Sequence, residues 1–120
     1  VREYQKSDRA LILSTAGAIA HSARDEACAV LDYALDLASC HVICPDESPD
    51  LIQAFLLHYK GGIVWGFTKS PYRQMGLFNQ LFEFAALRSG CGVMMQGENE
   101  GWHETSKAKK LKFRPYLLWK

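Results

Sequence analysis

Residues 63–78 read I-V-W-G-F-T-K-S-P-Y-R-Q-M-G-L-F, and the stretch changes character twice. Ile63–Lys69 is mostly apolar on both faces, as a central strand is. Ser70-Pro71-Tyr72-Arg73 interrupts it. From Gly76 onward the apolar residues return at helical spacing: Leu77, Leu81, Phe84 and Ala85 make one broad face, widened by Phe78 and Phe82. Asn79, Gln80 and Glu83 fall on the other side. The pattern predicts a helix over 76–88, with Arg88 against its negative end and Gly90 at the left-handed C′ position. The reading is strand, short loop, helix.

Such a junction is suited to an anion. The first turn of a helix leaves backbone N–H groups without intrahelical partners, and the macrodipole adds partial positive charge there. Gly76 lets the backbone approach a phosphate with no Cβ in the way. Arg73, three residues earlier, can add a charge-assisted hydrogen bond. Arg-x-x-Gly by itself also fits a plain helix start beside a surface charge; the strand–loop–helix setting favours the anion site.

Working outward, Cys40–Cys44 reads as a strand ending at Pro45, and the D-E-S-P-D run 46–50 as a turn. Leu51–Tyr59 is a further strand, joined to the next by a tight turn at Lys60-Gly61-Gly62. Upstream, Val1–Gln5 suits a short edge strand. Ser7 offers an N-cap for a helix through Ala10, Leu11, Leu13 and Ala18 to about His21. Its apolar part, 10–20, lacks a strongly basic lead and reads as a core helix, not a leader. A second helix begins near Asp25–Glu26, with Val30, Leu31, Ala34, Leu35, Leu37 and Ala38 on one face. Downstream come a strand at Cys91–Gln96, a short helix at about His103–Leu111 and a final strand at Arg114–Trp119. The expected order is β-α-α-β-β-β-α-β-α-β, one α/β (α+β) domain over 1–120 with a mixed central sheet flanked by helices.

With 120 residues, 48% of them hydrophobic, the chain can bury one real core. No apolar run reaches the roughly 18 to 20 residues that span a bilayer, so no membrane partner is expected. The formal charge is +1. It is unevenly placed: residues 1–106 hold 8 basic and 13 acidic residues, while 6 basic residues fall in the last 14 positions. That tail fits a solvated face or a nucleic-acid patch; its small, isolated footprint favours the solvated face over nucleic acid as a partner. Four cysteines (Cys28, Cys40, Cys44, Cys91) lack a disulfide framework. Cys40 and Cys44 with His41 and His58 lack zinc-site spacing, so no metal is expected. Reduced thiols and a cytoplasmic compartment fit.

At this point the chain resembles a known family. The GNAT acyltransferases bind acetyl-coenzyme A through a [QR]-x-x-G-x-[GA] motif between a strand and the following helix, and Arg73-Gln74-Met75-Gly76-Leu77-Phe78 stands in that place. The chain is similar in particular to small GNAT-like proteins of phages and prophages, with a V-Y-V-K-type strand, a P-[FY]-R loop and a C-terminal P-Y-L-L. Phe67-Thr68-Lys69, Pro71-Tyr72-Arg73 and Pro115-Tyr116-Leu117-Leu118 occupy those positions. The acidic turn and strand from Cys44 to Phe55 fit the same pattern. The likeness covers roughly residues 40–119, and the N-terminal helices only by element order.

The resemblance implies that the backbone of Phe67, Thr68 and Lys69 pairs with the pantetheine arm. The amides of Gln74 to Phe78 would hold the pyrophosphate. A splayed gap between the third strand and the Cys91–Gln96 strand would admit the thioester of acetyl-coenzyme A (or coenzyme A itself). An amine acceptor, protein or small molecule, would then attack directly. Two departures stand out. Phe78 replaces the usual Gly or Ala. In the last helix the family's Y-x-x-L-G-F becomes A-K-K-L-K-F, so the proton-donating tyrosine falls on Ala108 and the glycine on Lys112. The binding half of the motif is better kept than the catalytic half.

Other groups could carry the proton chemistry. His58 titrates in the range of a base, although a lone strand histidine is more often structural. Ser106 could donate a hydrogen bond, as a poor acid. His41 and His103 are weaker candidates, and no set of residues argues for covalent catalysis. Trp65, Trp102 and Trp119 read as core and cleft wall. The expected function is an acetyl-coenzyme A-dependent N-acyltransferase. The alternative is a catalytically degenerate binding or protein-interaction module on the same fold. An exposed edge strand leaves a homodimer open.

Overall fold

The computed structural model describes residues 1–15, 24–48, 51–72, 75–94, 109–114 and 117. It is an α+β structure built on a mixed sheet. The strands are β1 (Arg2–Glu3), β2 (Ser39–Ile43), β3 (Ala54–Tyr59), β4 (Gly62–Thr68), β5 (Gly92–Val93) and β6 (Lys112–Phe113), lying side by side in sequence order. The first four pair antiparallel; β4–β5 and β5–β6 are parallel. The helices are α1 (Arg9–Ser14), α2 (Arg24–Leu37) and α3 (Leu77–Phe84).

The helices lie on both faces of the sheet. Ile12 of α1 and Leu31, Ala34 and Leu35 of α2 bury against Val42, Phe55, Leu57, Val64 and Trp65. On the other face Leu77, Leu81 and Phe82 of α3 bury against Ile43, Ala54, Leu56, Ile63 and Val93. Alternation along β3 explains the split: Phe55 and Leu57 serve one layer, Ala54 and Leu56 the other. Fully burying each such side chain is worth about 1.5–3 kcal/mol. A bulge in the β3–β4 ladder breaks the alternation, because the register shifts between Leu57 and His58. Val64 and Trp65 consequently both face the α1–α2 layer, while Ile63 and Gly66 serve α3.

Several element boundaries differ from expectation, each for a local reason. The β3–β4 turn is only Lys60-Gly61, with φ of 50° and 76°, since Tyr59 already pairs with Gly62. Two left-handed residues make the type I′ turn that matches strand twist. Ser7 is not the N-cap: it lies in a 3-10 turn, Lys6–Asp8, and Asp8 precedes α1. Ile12 is the inward residue of α1, and Leu11 is exposed. The remainder of the first helix and the bend after it, 16–23, lie outside the described residues.

The α3 helix ends a turn before the expected Arg88. The Ala86 N–H bonds to the Glu83 carbonyl and the Leu87 N–H to the Phe82 carbonyl, with Ala86 left-handed at φ 56°. That is a Schellman closure with alanine at C′, where glycine is usual. Gly90 is left-handed too, but in the following turn. Phe84, expected inside, is 55% exposed. Ala86→Gly should therefore stabilise the fold by about 0.5–1 kcal/mol, read as a higher urea midpoint at unchanged m-value.

The last described strand is Lys112–Phe113, beside β5, and of the expected strand Arg114–Trp119 the two described residues, Arg114 and Leu117, lie in no strand. The Leu117 N–H bonds instead to the Arg114 carbonyl in a turn. The expected helix over 103–111 lies outside the described residues apart from its end, where Lys109 and Lys110 form a turn. No described helix is long and apolar enough to cross a membrane.

Candidate anion and cofactor site

The site is assembled by β4, the loop after it and the start of α3. The Lys69 N–H bonds to the Gln53 carbonyl at 2.9 Å, which fixes which backbone groups of β4 turn toward β3. In an antiparallel ladder this alternates residue by residue. Phe67 and Lys69 direct their N–H and C=O groups to β3, whereas Gly66 and Thr68 direct theirs to the β5 side. The residue that joins Thr68 on that edge is thus Gly66, which the sequence reading did not single out. Among the described residues β4 pairs with β5 through Ile63 and Val93, and the Met94 N–H bonds to the Ile63 carbonyl at 2.7 Å. Residues 95–100 lie outside the described residues, and the expected gap between the two strands falls partly there.

After β4 a 3-10 turn, Ser70–Tyr72, is closed by the Tyr72 N–H on the Lys69 carbonyl at 2.9 Å. Tyr72 packs on the α3 layer. Arg73 and Gln74 lie outside the described residues. Met75 is 59% exposed. Gly76 is left-handed, with φ 75° and ψ 13°, and caps α3. A Cβ placed on it would meet no atom of the described residues within 4 Å. The first intrahelical bond runs from the Gln80 N–H to the Gly76 carbonyl at 3.1 Å. The amides before Gln80 lie upstream of the helix ladder, and no acidic side chain stands in the first turn.

The Leu77 side chain turns into the core. Phe78 lies against β4: a Cβ on Gly66 would come within 3.1 Å of its ring. The large residue at the sixth motif position is thus matched by a missing side chain on the strand beneath. Its ring packs into the α3 layer beside Phe82, with centroids 6.1 Å apart.

On the opposite face, the end of β4 borders a small cavity beneath α1, lined by Ile12, Thr15, Ile52, Phe55, Phe67 and Lys69 among others. Its lining is mostly apolar, with Ser14, Thr15 and Lys69 as the polar members. The Thr15 hydroxyl donates to the Ile12 carbonyl at 2.7 Å.

His58 does not join these groups. It sits at the hairpin end of β3, four residues from Ala54, which pairs with Thr68. At about 3.4 Å per residue that is about 14 Å along the strand. Its partner is His41 on β2: the two Nε2 atoms lie 3.0 Å apart and the rings stack at 5.0 Å. Burial lowers the pKa of both, His41 adding to the effect on His58 and Glu3 opposing it at His41. His41 is thus the neighbour that sequence reasoning ranked low. Only the β2–β3 register, Ser39 opposite His58 and Leu56 opposite His41, makes the pair diagonal neighbours.

Ser106 and Ala108 lie outside the described residues, as do Trp102 and Trp119, while Trp65 is core. Burial pushes the Cys40 thiol up to about 12 and raises that of Cys91. Among the described residues no three of His, Cys, Asp and Glu gather as a metal site. The chain matches no protein-family model and no curated protein.

Proposed function

We propose that this chain is an acyl-coenzyme A-dependent N-acyltransferase of the GNAT type, with the coenzyme A pyrophosphate over the start of α3. The observation that carries the reading is the left-handed Gly76, uncovered among the described residues, at the head of a helix that crosses between two parallel strands. Backbone amides there favour an anion, and Arg73 in the preceding loop adds a cation. The backbone of Gly66, turned to the β5 side, would meet an extended pantetheine arm. Acyl-coenzyme A would supply the acyl group as a thioester. The acceptor nitrogen would bond to the acyl carbon as the carbon–sulfur bond breaks. The amine proton would leave to a base or water, and the thiolate would be protonated. The cavity beneath α1 would place an acceptor beside the end of β4. Four free cysteines suit a reducing compartment.

Ala108, where the family carries its proton-donating tyrosine, favours a second reading: a module that binds coenzyme A or a protein partner without turning over. Following thiol release from acetyl-coenzyme A across a panel of amines separates the two. The enzyme reading predicts protein-dependent thiol release that needs an amine. Tight binding of coenzyme A without such release would leave the binding module.

A further inference from the structure

We propose that His41 and His58 form an acid-sensitive latch that joins β2, β3 and the last turn of α3. The two Nε2 atoms are 3.0 Å apart, so one ring donates and the other accepts. The His41 Nδ1 is buried with no hydrogen-bond partner among the described residues. A bare ring nitrogen there is cheaper than an N–H without an acceptor, which assigns the His41 proton to Nε2, donating to His58. Phe84 closes the arrangement, its ring meeting His41 edge-on at 4.9 Å.

The surroundings leave little to support an added charge. Ile63 of β4 pairs opposite His58, Leu56 of β3 pairs opposite His41, and Phe84 comes from α3; all three are apolar. Glu3 of β1, opposite His41, is the charged side chain whose field acts on that ring. The Nε2 contact already holds its one proton, so an added proton goes either to the His41 Nδ1, as a buried N–H without a partner among the described residues, or to the His58 Nε2, where two N–H groups would face each other 3.0 Å apart. A second would also set like charges side by side. The pair does not read as a metal site. A ligating imidazole donates its other N–H to an acceptor, which the His41 Nδ1 lacks, and no third ligand stands near among the described residues.

Both histidines are held below their ordinary pKa in the fold. The neutral pair therefore contributes full stability above about pH 6.5, and that contribution is lost as pH falls toward the folded values. In this window the unfolding constant should rise about tenfold per pH unit for each histidine concerned. The test is urea unfolding of wild type, His58→Phe and His41→Phe between pH 7.5 and 5.0, with imidazole proton resonances followed in the wild type. The latch predicts a steep acid loss in wild type, a flatter profile in each variant that folds, and two coupled histidine titrations below the usual range. Two independent titrations near 6.5 would overturn it even if neither variant folds, and so would variants as acid-sensitive as wild type.

Discussion

Asp8→Ala should cost the fold about 3 kcal/mol, the largest effect expected of any single side chain outside the apolar layers. The Asp8 side chain is 4% exposed, and it receives two bonds from the Arg2 guanidinium at 2.8 and 2.9 Å. It also accepts the Gln5 N–H at 2.8 Å. This one carboxylate therefore ties edge strand β1 to the turn that starts α1. Its pKa lies below the ordinary carboxylate value, first because of the Arg2 bond and then the Gln5 amide, against the opposing effect of burial. Its contribution is present above the unfolded carboxylate pKa and disappears as pH falls through the folded value, well below the histidine window. Removing the carboxylate takes the ion-pair partner from Arg2 and the acceptor from the Gln5 N–H. Replacing both partners, Arg2→Met with Asp8→Leu, should recover much of the loss. Chemical denaturation of the three proteins at pH 7 measures both quantities.

The second large effect concerns the proposed ligand. Arg73→Glu should weaken coenzyme A binding about 100-fold or more, by removing a charge-assisted bond and setting a carboxylate against the pyrophosphate. A loss confined to the ligand should leave stability within about 0.5 kcal/mol of wild type. Any nucleic-acid affinity of the basic tail should persist, with the steep salt dependence of multiple phosphate contacts. Titration calorimetry with coenzyme A, beside a filter-binding assay with DNA, separates the two. Loss of both affinities together would argue against an anion site at this loop.

Much of the fold was legible because the chain obeys simple periods. The apolar stretch from Ile63 and the three-and-four spacing from Leu77 mark β4 and α3. The Lys60-Gly61 pair marks the hairpin, and Leu31, Ala34 and Leu35 mark the inner face of α2. What stayed hidden depends on register and on long-range partners. The bulge that sends Val64 and Trp65 to the same face has no local signature, and the diagonal meeting of His41 with His58 exists only once β2 and β3 are aligned. Asp8 reads as an ordinary first-turn acid until β1 brings Arg2 beside it. Ala86 hides a helix end because alanine is the strongest helix former and is rarely left-handed. At the site, Gly76 was legible as a helix-start glycine. The pairing of Gly66 with Phe78 was not, since it joins residues that only the α3–β4 packing brings together.

The most direct measurement is thermal unfolding with and without saturating acetyl-coenzyme A or coenzyme A, with ATP as the anion control. A ligand at 100 times its dissociation constant adds about 2.7 kcal/mol to the stability of the folded state. For a domain of this size that corresponds to a midpoint roughly 10 °C higher. A rise with both coenzyme A species and none with ATP is the result expected of a coenzyme A site over Gly76. An unchanged midpoint with all three would contradict it, and an equal rise with ATP would reduce the site to a general phosphate cradle.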